Sequence, residues 1–392
     1  MLDFVEIKKK WLKDGSVEIF PDFIVDNNTK DLMIQGGDFY AVWNEENKAW
    51  DTNERTVSRL IDEEIKRARE EIIKAGAAQK VNCRYMRYSS TGSIGKWHKY
   101  VQKQMRDSFK PLNQKIIFSN TTTKRSDYSS KALPYPIEKG KCTAYNKIMS
   151  RLYFPEEREK LEWAVGSIIS GDSKKIQKFI VLYGGPGSGK STFLHILELL
   201  FDGYYAYFDA KEMASMNNMF ALESFNTDPL VGIQHDGNLS KITDNSLLNS
   251  IVSHETLVVN EKFKRKYERK FNAFLFMGTN NEIKITDAKA GLMRRLIIVQ
   301  PSGRLLEPNE YDDLMARVKF ELGAIAHRCL QVYNERGPKY YSNYIPRLMI
   351  SSTNDVYDFI EESFDDFVEH DPVTLATLWS LYKQYCNMSN IL

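Results

Sequence analysis

Residues 179–192, FIVLYGGPGSGKST, constrain this chain more than any other stretch of its sequence. The apolar run 179–183 predicts a short buried strand, since glycines bound it at once. Residues 184–191 then fit the pattern G-x-x-x-x-G-K-[ST], and FLHILELL continues with helical spacing. The fixed spacing disfavours a glycine turn without a ligand. We therefore predict a nucleoside triphosphate site at this strand, loop and helix.

The residue types of this loop explain the predicted chemistry. Glycines allow successive backbone N–H groups to curl around phosphate oxygens, and the N-terminus of the helix adds partial positive charge. The Lys190 ammonium is expected to reach the β- and γ-phosphates, and the Ser191 hydroxyl to bind Mg²⁺. The predicted nucleotide-binding residues are Gly184, Gly185, Pro186, Gly187, Ser188, Gly189, Lys190, Ser191 and Thr192.

Length and composition indicate a protein of ordinary soluble type. The chain has 392 residues, enough for two or three domains, of which 42% are hydrophobic and 27% charged. It has no apolar run of membrane-spanning length and no signal-peptide pattern, so we expect a cytoplasmic protein without membrane contact. The cysteines are scattered, which predicts reduced structural thiols: Cys83, Cys142, Cys329 and Cys386.

Three later apolar runs predict further strands, and polar residues stand at their ends. One run ends in Asp236, and an acid at a strand end beside a phosphate loop suits Mg²⁺ binding or water activation. Another ends at Asn280, which could hold the attacking water or sense the γ-phosphate, or could simply end the strand. Arg294 and Arg295 precede the last run, and arginine stabilises charge on a transferring phosphoryl group.

The chain before residue 179 has simpler patterns. Residues 36–50 predict a hairpin with aromatic strands and a polar turn. Residues 56–76 predict an amphipathic helix that begins near a threonine and ends at a glycine. Residues 145–169 have helical period throughout and predict one helix that leads into the strand of the glycine loop.

Two segments are strongly basic in a chain whose net charge is only +2. Residues 80–131 interleave lysines and arginines with aromatic residues, which suits a groove for single-stranded nucleic acid and equally an ordinary basic surface. Residues 254–276 predict a strand, a basic turn and a strand. The predicted DNA-binding residues lie in that turn: Lys262, Lys264, Arg265 and Lys266. Any nucleic-acid site must be a local patch of this kind.

The order of these motifs resembles that of the superfamily 3 helicases. The glycine loop, the acid-ended strand, the basic hairpin, the strand ending in asparagine and the arginine pair follow one another as in that family. The closest resemblance is to the poxvirus-type and phage primase-helicases, over roughly residues 35–300. The family implies an α/β fold with an AAA+ phosphate-loop ATPase core, ATP and Mg²⁺ as cofactors, and ATP hydrolysis as the reaction.

The resemblance also implies a role for each motif. Lys190 and Ser191 match the phosphate-loop pair, Asp236 the acid at the second strand, and Asn280 the asparagine of the third motif. Arg294 or Arg295 matches the arginine that acts on the neighbouring subunit's nucleotide. The sequence offers His235 and Asp236 where many AAA+ ATPases have two acids, so the residue that activates water stays open, with Glu255 as one candidate.

The expected organisation follows from the same resemblance. Residues 1–140 would form a mainly α-helical N-terminal domain, residues 141–335 the AAA+ ATPase domain, and residues 336–392 a helical C-terminal segment that resembles the beginning of a winged helix. The family implies a homo-oligomer, a hexameric ring on single-stranded or forked DNA that travels 3′ to 5′ in viral, phage or mobile-element replication. If the source is viral or a phage, the site of action would be the cytoplasm of the host cell.

Two other functions stay open from the sequence. An ATP-gated protein that binds or remodels DNA, or loads other factors, would use the same ATPase motifs without unwinding. A phosphate-loop kinase would need neither the basic turn nor the arginine pair, which disfavours it. We therefore predict an ATP-dependent hexameric DNA helicase.

Overall fold

The computed structural model divides the chain into two compact units. The first comprises residues 1–136 and 258–268, and the second comprises residues 137–257 and 269–392. The structure describes residues 3–23, 30–35, 39–77, 80–83, 112–213, 222–225, 227–239, 245–259, 267–281, 290–346 and 374–388, together with 356, 359, 360 and 363.

Six strands form two sheets in the first unit. They are β1 (Val5–Trp11), β2 (Val17–Phe23), β3 (Leu32–Gln35), β4 (Phe39–Asn44), β5 (Ala49–Asp51) and β6 (Val81–Cys83). In one sheet β1 pairs with β2 antiparallel, and β6 joins β2 in parallel. In the other sheet β4 pairs antiparallel with both β3 and β5. The β4–β5 hairpin confirms the one predicted within residues 36–50.

Among the described residues of the first unit, one long helix packs against both sheets. This helix, α1 (Glu54–Lys74), buries Ile65, Ala68 and Ile72, whose spacing of three and four residues places them on one face. The amphipathic helix predicted here is confirmed. The first unit was expected to be mainly helical, but its described residues hold six strands beside this helix, so for them that expectation is wrong.

The second unit combines helices with a parallel sheet. Its helices are α2 (Thr143–Leu152), α3 (Pro155–Ser170), α4 (Lys190–Leu200), α5 (Ala210–Met213), α6 (Ser246–Val252), α7 (Ala290–Met293), α8 (Pro308–Arg336) and α9 (Leu375–Met388). Its sheet strands are β7 (Phe179–Tyr183), β8 (Tyr205–Tyr207), β9 (Val231–Gln234), β12 (Phe274–Thr279) and β13 (Leu296–Val299). Two further strands, β10 (Thr256–Val259) and β11 (Tyr267–Lys270), pair with each other, and each has residues in both units.

The five sheet strands are ordered β13-β7-β12-β9-β8, and every neighbouring pair is parallel. All residues of β9, β12 and β13 are buried, as expected for a parallel sheet whose apolar runs do not alternate. β7, the first of these strands in sequence, lies between β13 and β12. The fold is therefore mixed α/β, with all carboxyl ends of the sheet at one edge.

The helix predicted over residues 145–169 is two helices, and the expectation of one is wrong. Proline at position 155 is the first residue of α3, and Phe154 before it is extended, with ψ 158°. Proline favours this first helical position and forces the preceding residue out of the helical region. The chain therefore turns between α2 and α3, although the apolar period continues through the turn.

Helix α8 covers α3 at a very close approach. A Cβ atom on Gly166 would lie 2.1 Å from the carbonyl oxygen of Cys329, so only glycine permits this helix contact. Buried Glu162 joins the same two helices, since its Oε1 accepts hydrogen bonds from Arg158 at 2.8 Å and Arg328 at 2.7 Å. Among the described residues, no helix combines the length and apolarity needed to cross a membrane.

Candidate functional site

The glycine loop follows β7 at the carboxyl edge of the sheet, and α4 begins directly after it. Gly189 precedes α4 with φ +97°, a conformation that disfavours any residue with a side chain. A Cβ atom there would also lie 2.8 Å from Leu152 Cδ2. Tyr153 contacts the loop from the same side, with its hydroxyl donating to the Gly189 carbonyl at 3.3 Å. The end of α2 therefore fixes the loop from behind.

Lys190, the first residue of α4, turns its side chain into the loop. Its ammonium donates to the carbonyl oxygens of Gly184 and Gly185, both at 2.7 Å, and to Asn280 Oδ1, also at 2.7 Å. The residue is only 7% exposed. Burial lowers the pKa of the Lys190 ammonium, and the negative charge of Asp236 opposes that shift. A cation is therefore held at the centre of the loop by uncharged acceptors.

The predicted residues Asp236 and Asn280 follow adjacent strands at this edge. β9 ends at Gln234 and β12 at Thr279, so both polar residues leave the sheet on the side of Lys190. The strands approach closely here, since a Cβ atom on Gly278 would lie 2.4 Å from the His235 carbonyl oxygen. Lys190, Asp236 and Asn280 thus come together from three segments.

Several of the remaining loop residues are exposed, as contact with a ligand requires. Gly185, Pro186 and Gly187 are exposed, and so is Ser191 in the first turn of α4, whereas Thr192 is buried. An exposed hydroxyl and an exposed carboxylate beside a lysine are the donors that Mg²⁺ and a triphosphate need together. The described residues of this edge therefore fit a magnesium nucleotide.

The two predicted arginines lie at the other edge of the sheet. They precede β13, whose first residue, Leu296, is aligned with Phe179 at the start of β7. The Arg295 carbonyl oxygen accepts a 2.8 Å hydrogen bond from the Phe179 backbone N–H, which fixes this position. From Phe179 to Gly184 the strand rises about 16 Å. The fold therefore separates the arginines from the glycine loop of their own chain.

The neighbouring arginines differ sharply in environment. Arg295 is 6% exposed, and its guanidinium donates to Ser253 Oγ at 2.6 and 3.0 Å and to the Gly291 carbonyl at 2.5 Å. Burial and the charge of Arg294 lower its pKa, although Glu255 opposes this shift. The Arg294 side chain is exposed, while its backbone carbonyl accepts a 2.6 Å hydrogen bond from Lys178 Nζ. Arg295 therefore holds local structure, whereas the Arg294 side chain is accessible from outside.

Glu255, an alternative candidate for water activation, also lies near the amino edge. Its Oε2 accepts a 2.7 Å hydrogen bond from Ser250, and its backbone follows His254. The His254 Nε2 lies 3.0 Å from the Ser173 carbonyl and 3.2 Å from that of Ile176, just before β7 begins. The structure therefore does not bring Glu255 to the glycine loop.

The predicted DNA-binding residues fall outside the described part of the chain. This holds for Lys262, Lys264, Arg265 and Lys266, and for the N-terminal basic residues between 84 and 111. Of the basic residues that are described, Arg125 has structural partners. It pairs with Asp31 at 2.8 Å and Glu45 at 2.8 Å, and its guanidinium lies 5.8 Å from the centre of the Trp43 ring.

Sequence reasoning missed two contributions to the site. Tyr153 reaches the loop although 36 residues separate it from Gly189, and the sequence has no signal for that contact. The bond between Lys190 and Asn280 spans 90 residues. The sequence did predict Asn280 for the site, but as a residue that faces water or phosphate rather than as an acceptor for the lysine.

Comparisons with known proteins give limited information. Residues 182–295 match the model of DUF5906, a family of unknown function. No curated protein matches the chain. Two apo structures of the NrS-1 C-terminal region are 14% identical to it, with TM-scores of 0.43 and 0.42; each covers 71% of this chain. The chain in turn spans 65% and 66% of those structures, less than two thirds of their length. At this identity and TM-score the likeness carries no information about function.

Proposed function

We propose that this chain is an ATP-driven DNA helicase of phage, viral or mobile-element replication, built on an AAA+ core and active as a hexameric ring. One observation carries the proposal. Lys190, Asp236 and Asn280 meet at the carboxyl edge of the sheet, while Arg294 is exposed near the amino edge. A phosphate site with its arginine on the opposite edge is complete only when a second copy of the chain supplies that arginine.

The residues of the chain have distinct tasks in this proposal. Bound Mg-ATP supplies the phosphoryl group and a divalent charge beside it. Ser191 and Asp236 hold the metal, and Lys190 exchanges its acceptors in the loop for phosphate oxygens. Asn280, released from the lysine by that exchange, orients the attacking water. The lysine charge is already desolvated by burial, which strengthens its interaction with developing negative charge.

Arg294 completes the site from the neighbouring subunit. The rise of about 16 Å along β7 keeps this guanidinium from the nucleotide of its own chain. An arginine supplied in trans is worth roughly 10³–10⁵ in turnover in other phosphate-loop enzymes, because its charge is placed where the phosphoryl group breaks away. Hydrolysis should therefore require assembly.

Mixing two defective variants tests the shared site. Lys190→Ala subunits lose the phosphate grip but keep Arg294, and Arg294→Ala subunits have the opposite defect. Neither variant alone should hydrolyse ATP at an appreciable rate, whereas mixed rings should recover activity where an intact loop meets an intact arginine. Fluorescence energy transfer between labelled subunits would verify co-assembly. Mixtures that co-assemble and stay inactive at every ratio would refute catalysis in trans.

Strand displacement separates the helicase from the loader. A helicase should unwind a fork with a 3′ single-stranded tail in an ATP-dependent way, since the family resemblance implies 3′-to-5′ travel. A protein that only loads or remodels should bind the fork and hydrolyse ATP without releasing the displaced strand. If the strand is released only from a fork with a 5′ tail, the predicted direction of travel is wrong but the proposed helicase activity stands.

A further inference from the structure

Three side chains of types that bind metal ions converge where α4 meets the residue after β9, and none has a part in the proposed reaction. Glu198 Oε2 lies 3.0 Å from His195 Nδ1, and Glu198 Oε1 lies 2.7 Å from His235 Nε2. The two imidazole rings are 5.0 Å apart between centroids. One donor atom from each of the three residues lies within 4.8 Å of the other two. They form a compact set of two nitrogen donors and one carboxylate.

The fold creates this cluster from two separate segments. His195 and Glu198 are three residues apart on α4, so they project from the same face of that helix. His235 is the residue that directly follows β9, and Asp236 comes next in the chain. The cluster therefore bridges the helix after the glycine loop and the end of a neighbouring strand.

We propose that His195, Glu198 and His235 form a binding site for a divalent transition-metal cation such as Zn²⁺. Neutral imidazole nitrogen and carboxylate oxygen are the donors that zinc, cobalt and nickel share in proteins. Mg²⁺ prefers oxygen ligands, so two imidazoles select against it. The site is thus chemically distinct from the magnesium site of the nucleotide.

The geometry needs only small side-chain adjustments to accept the ion. Tetrahedral zinc with bonds of about 2.0–2.1 Å places its donors roughly 3.3 Å apart. At present Glu198 Oε2 lies 3.0 Å from His195, Glu198 Oε1 lies 2.7 Å from His235, and one donor atom from each residue lies within 4.8 Å of the others. His195 and His235 are 49% and 33% exposed in their side chains, which leaves space for movement and for a water ligand. Bonds to Zn²⁺ would take the place of these hydrogen bonds.

A phenol supports the carboxylate from outside the cluster. The Tyr207 hydroxyl donates to Glu198 Oε1 at 3.0 Å, and its ring lies 6.0 Å from that of His235. Partners of this kind orient a ligand, and their loss typically lowers metal affinity about 10–100-fold.

Titration of the full chain with Co²⁺ and Zn²⁺ tests the site directly. Tetrahedral Co²⁺ with nitrogen ligands gives intense visible absorption, and calorimetry with Zn²⁺ gives affinity and stoichiometry. Compared with wild type, His195→Ala and Glu198→Gln should each lose one equivalent of bound metal or at least ~100-fold in affinity. Tyr207→Phe should lose about 10-fold. His327→Ala, a partly exposed histidine on α8, is the matched control and should bind as wild type does.

Thermal unfolding gives a second measurement that does not depend on ATP hydrolysis. Because the ion would tie α4 to the end of β9, Zn²⁺ should raise the Tm of wild type and His327→Ala, but not that of His195→Ala. The metal-free Tm of each variant shows whether it is folded. Equal stoichiometry and affinity in wild type, His195→Ala and Glu198→Gln would overturn the proposal. Competition for the same site by Mg²⁺ at similar concentration would overturn it as well.

Discussion

The contrast between two adjacent arginines gives the sharpest prediction from this structure. Arg295→Ala should destabilise the protein, and Arg294→Ala should abolish turnover without destabilising it. Arg295 is 6% exposed and is bonded to Ser253 Oγ and the Gly291 carbonyl, so its truncation leaves both acceptors without that donor. Unsatisfied buried polar groups cost about 1–3 kcal/mol each. The total loss for the two acceptors should therefore be ~2–6 kcal/mol.

The same comparison predicts little change in stability at Arg294. Its side chain is exposed, and the hydrogen bond from Lys178 goes to its backbone carbonyl, which alanine retains. Substitutions of this kind usually change the free energy of unfolding by less than ~0.5 kcal/mol. Turnover should nevertheless fall by about 10³ or more, because the charge supplied to the neighbouring nucleotide is lost.

Two assays on matched variants measure this contrast. Urea unfolding followed by circular dichroism gives the free energy of unfolding, and steady-state hydrolysis at saturating ATP gives kcat for assembled protein. Arg294→Lys and Arg295→Lys serve as controls that retain charge but change the donor geometry. The roles of the two arginines would be reversed by one pair of results. Arg295→Ala would keep its stability but lose turnover, and Arg294→Ala would stay active. Full activity in both alanine variants would remove the arginines from the reaction.

Three further predictions follow from the site and its surroundings. Lys190→Ala should abolish ATP hydrolysis, and Asp236→Asn should spare nucleotide binding but stop turnover; filter binding and phosphate release distinguish the two defects. Burial lowers the pKa of Lys178 from 10.5 to about 8, so the unfolded chain binds this proton more tightly than the folded chain does. The free energy of unfolding should therefore rise by up to ~3 kcal/mol as the pH increases from about 8 to 10.5. Lys178→Met should remove that part of the rise in urea unfolding, and an unchanged pH dependence would contradict it. Reversal of Lys264 and Lys266 to Glu should cripple unwinding and flatten the salt dependence of DNA binding while DNA-free hydrolysis remains. A double variant that unwinds a fork normally would show that this turn is only a solvated loop.

Local patterns in the sequence determined the elements around the glycine loop. β7 has the predicted bounds 179–183, β13 directly follows the two arginines as predicted, and β9 and β12 lie inside the apolar runs that ended at Asp236 and Asn280. These elements are predictable because each is a continuous apolar run followed by a glycine or a polar turn, and such signals lie within a few residues. The order of glycine, lysine and serine in the loop is equally local.

Local patterns failed where packing or a single residue decided the outcome. Proline at position 155 divides a continuous helical period into two helices. The strands of the first unit carry runs such as VEIKKKW, whose alternation is weak, so only pairing with a partner strand makes them sheet. In the first case one residue outweighs the apolar period of its segment, and in the second the partner strand outweighs a weak local preference.

The tertiary structure alone determines how the residues of the candidate site are arranged. The sequence by itself determined which residue types stand after which strands: a lysine, an acid, an asparagine and two arginines. Only the tertiary structure decided that the lysine, the acid and the asparagine share one edge of the parallel sheet and that the arginines lie at the other. It also decided that Arg295 is buried while Arg294 is exposed, and that His235 contacts Glu198. The physical reason is that strand order and burial depend on contacts between segments tens of residues apart, which a local pattern does not encode.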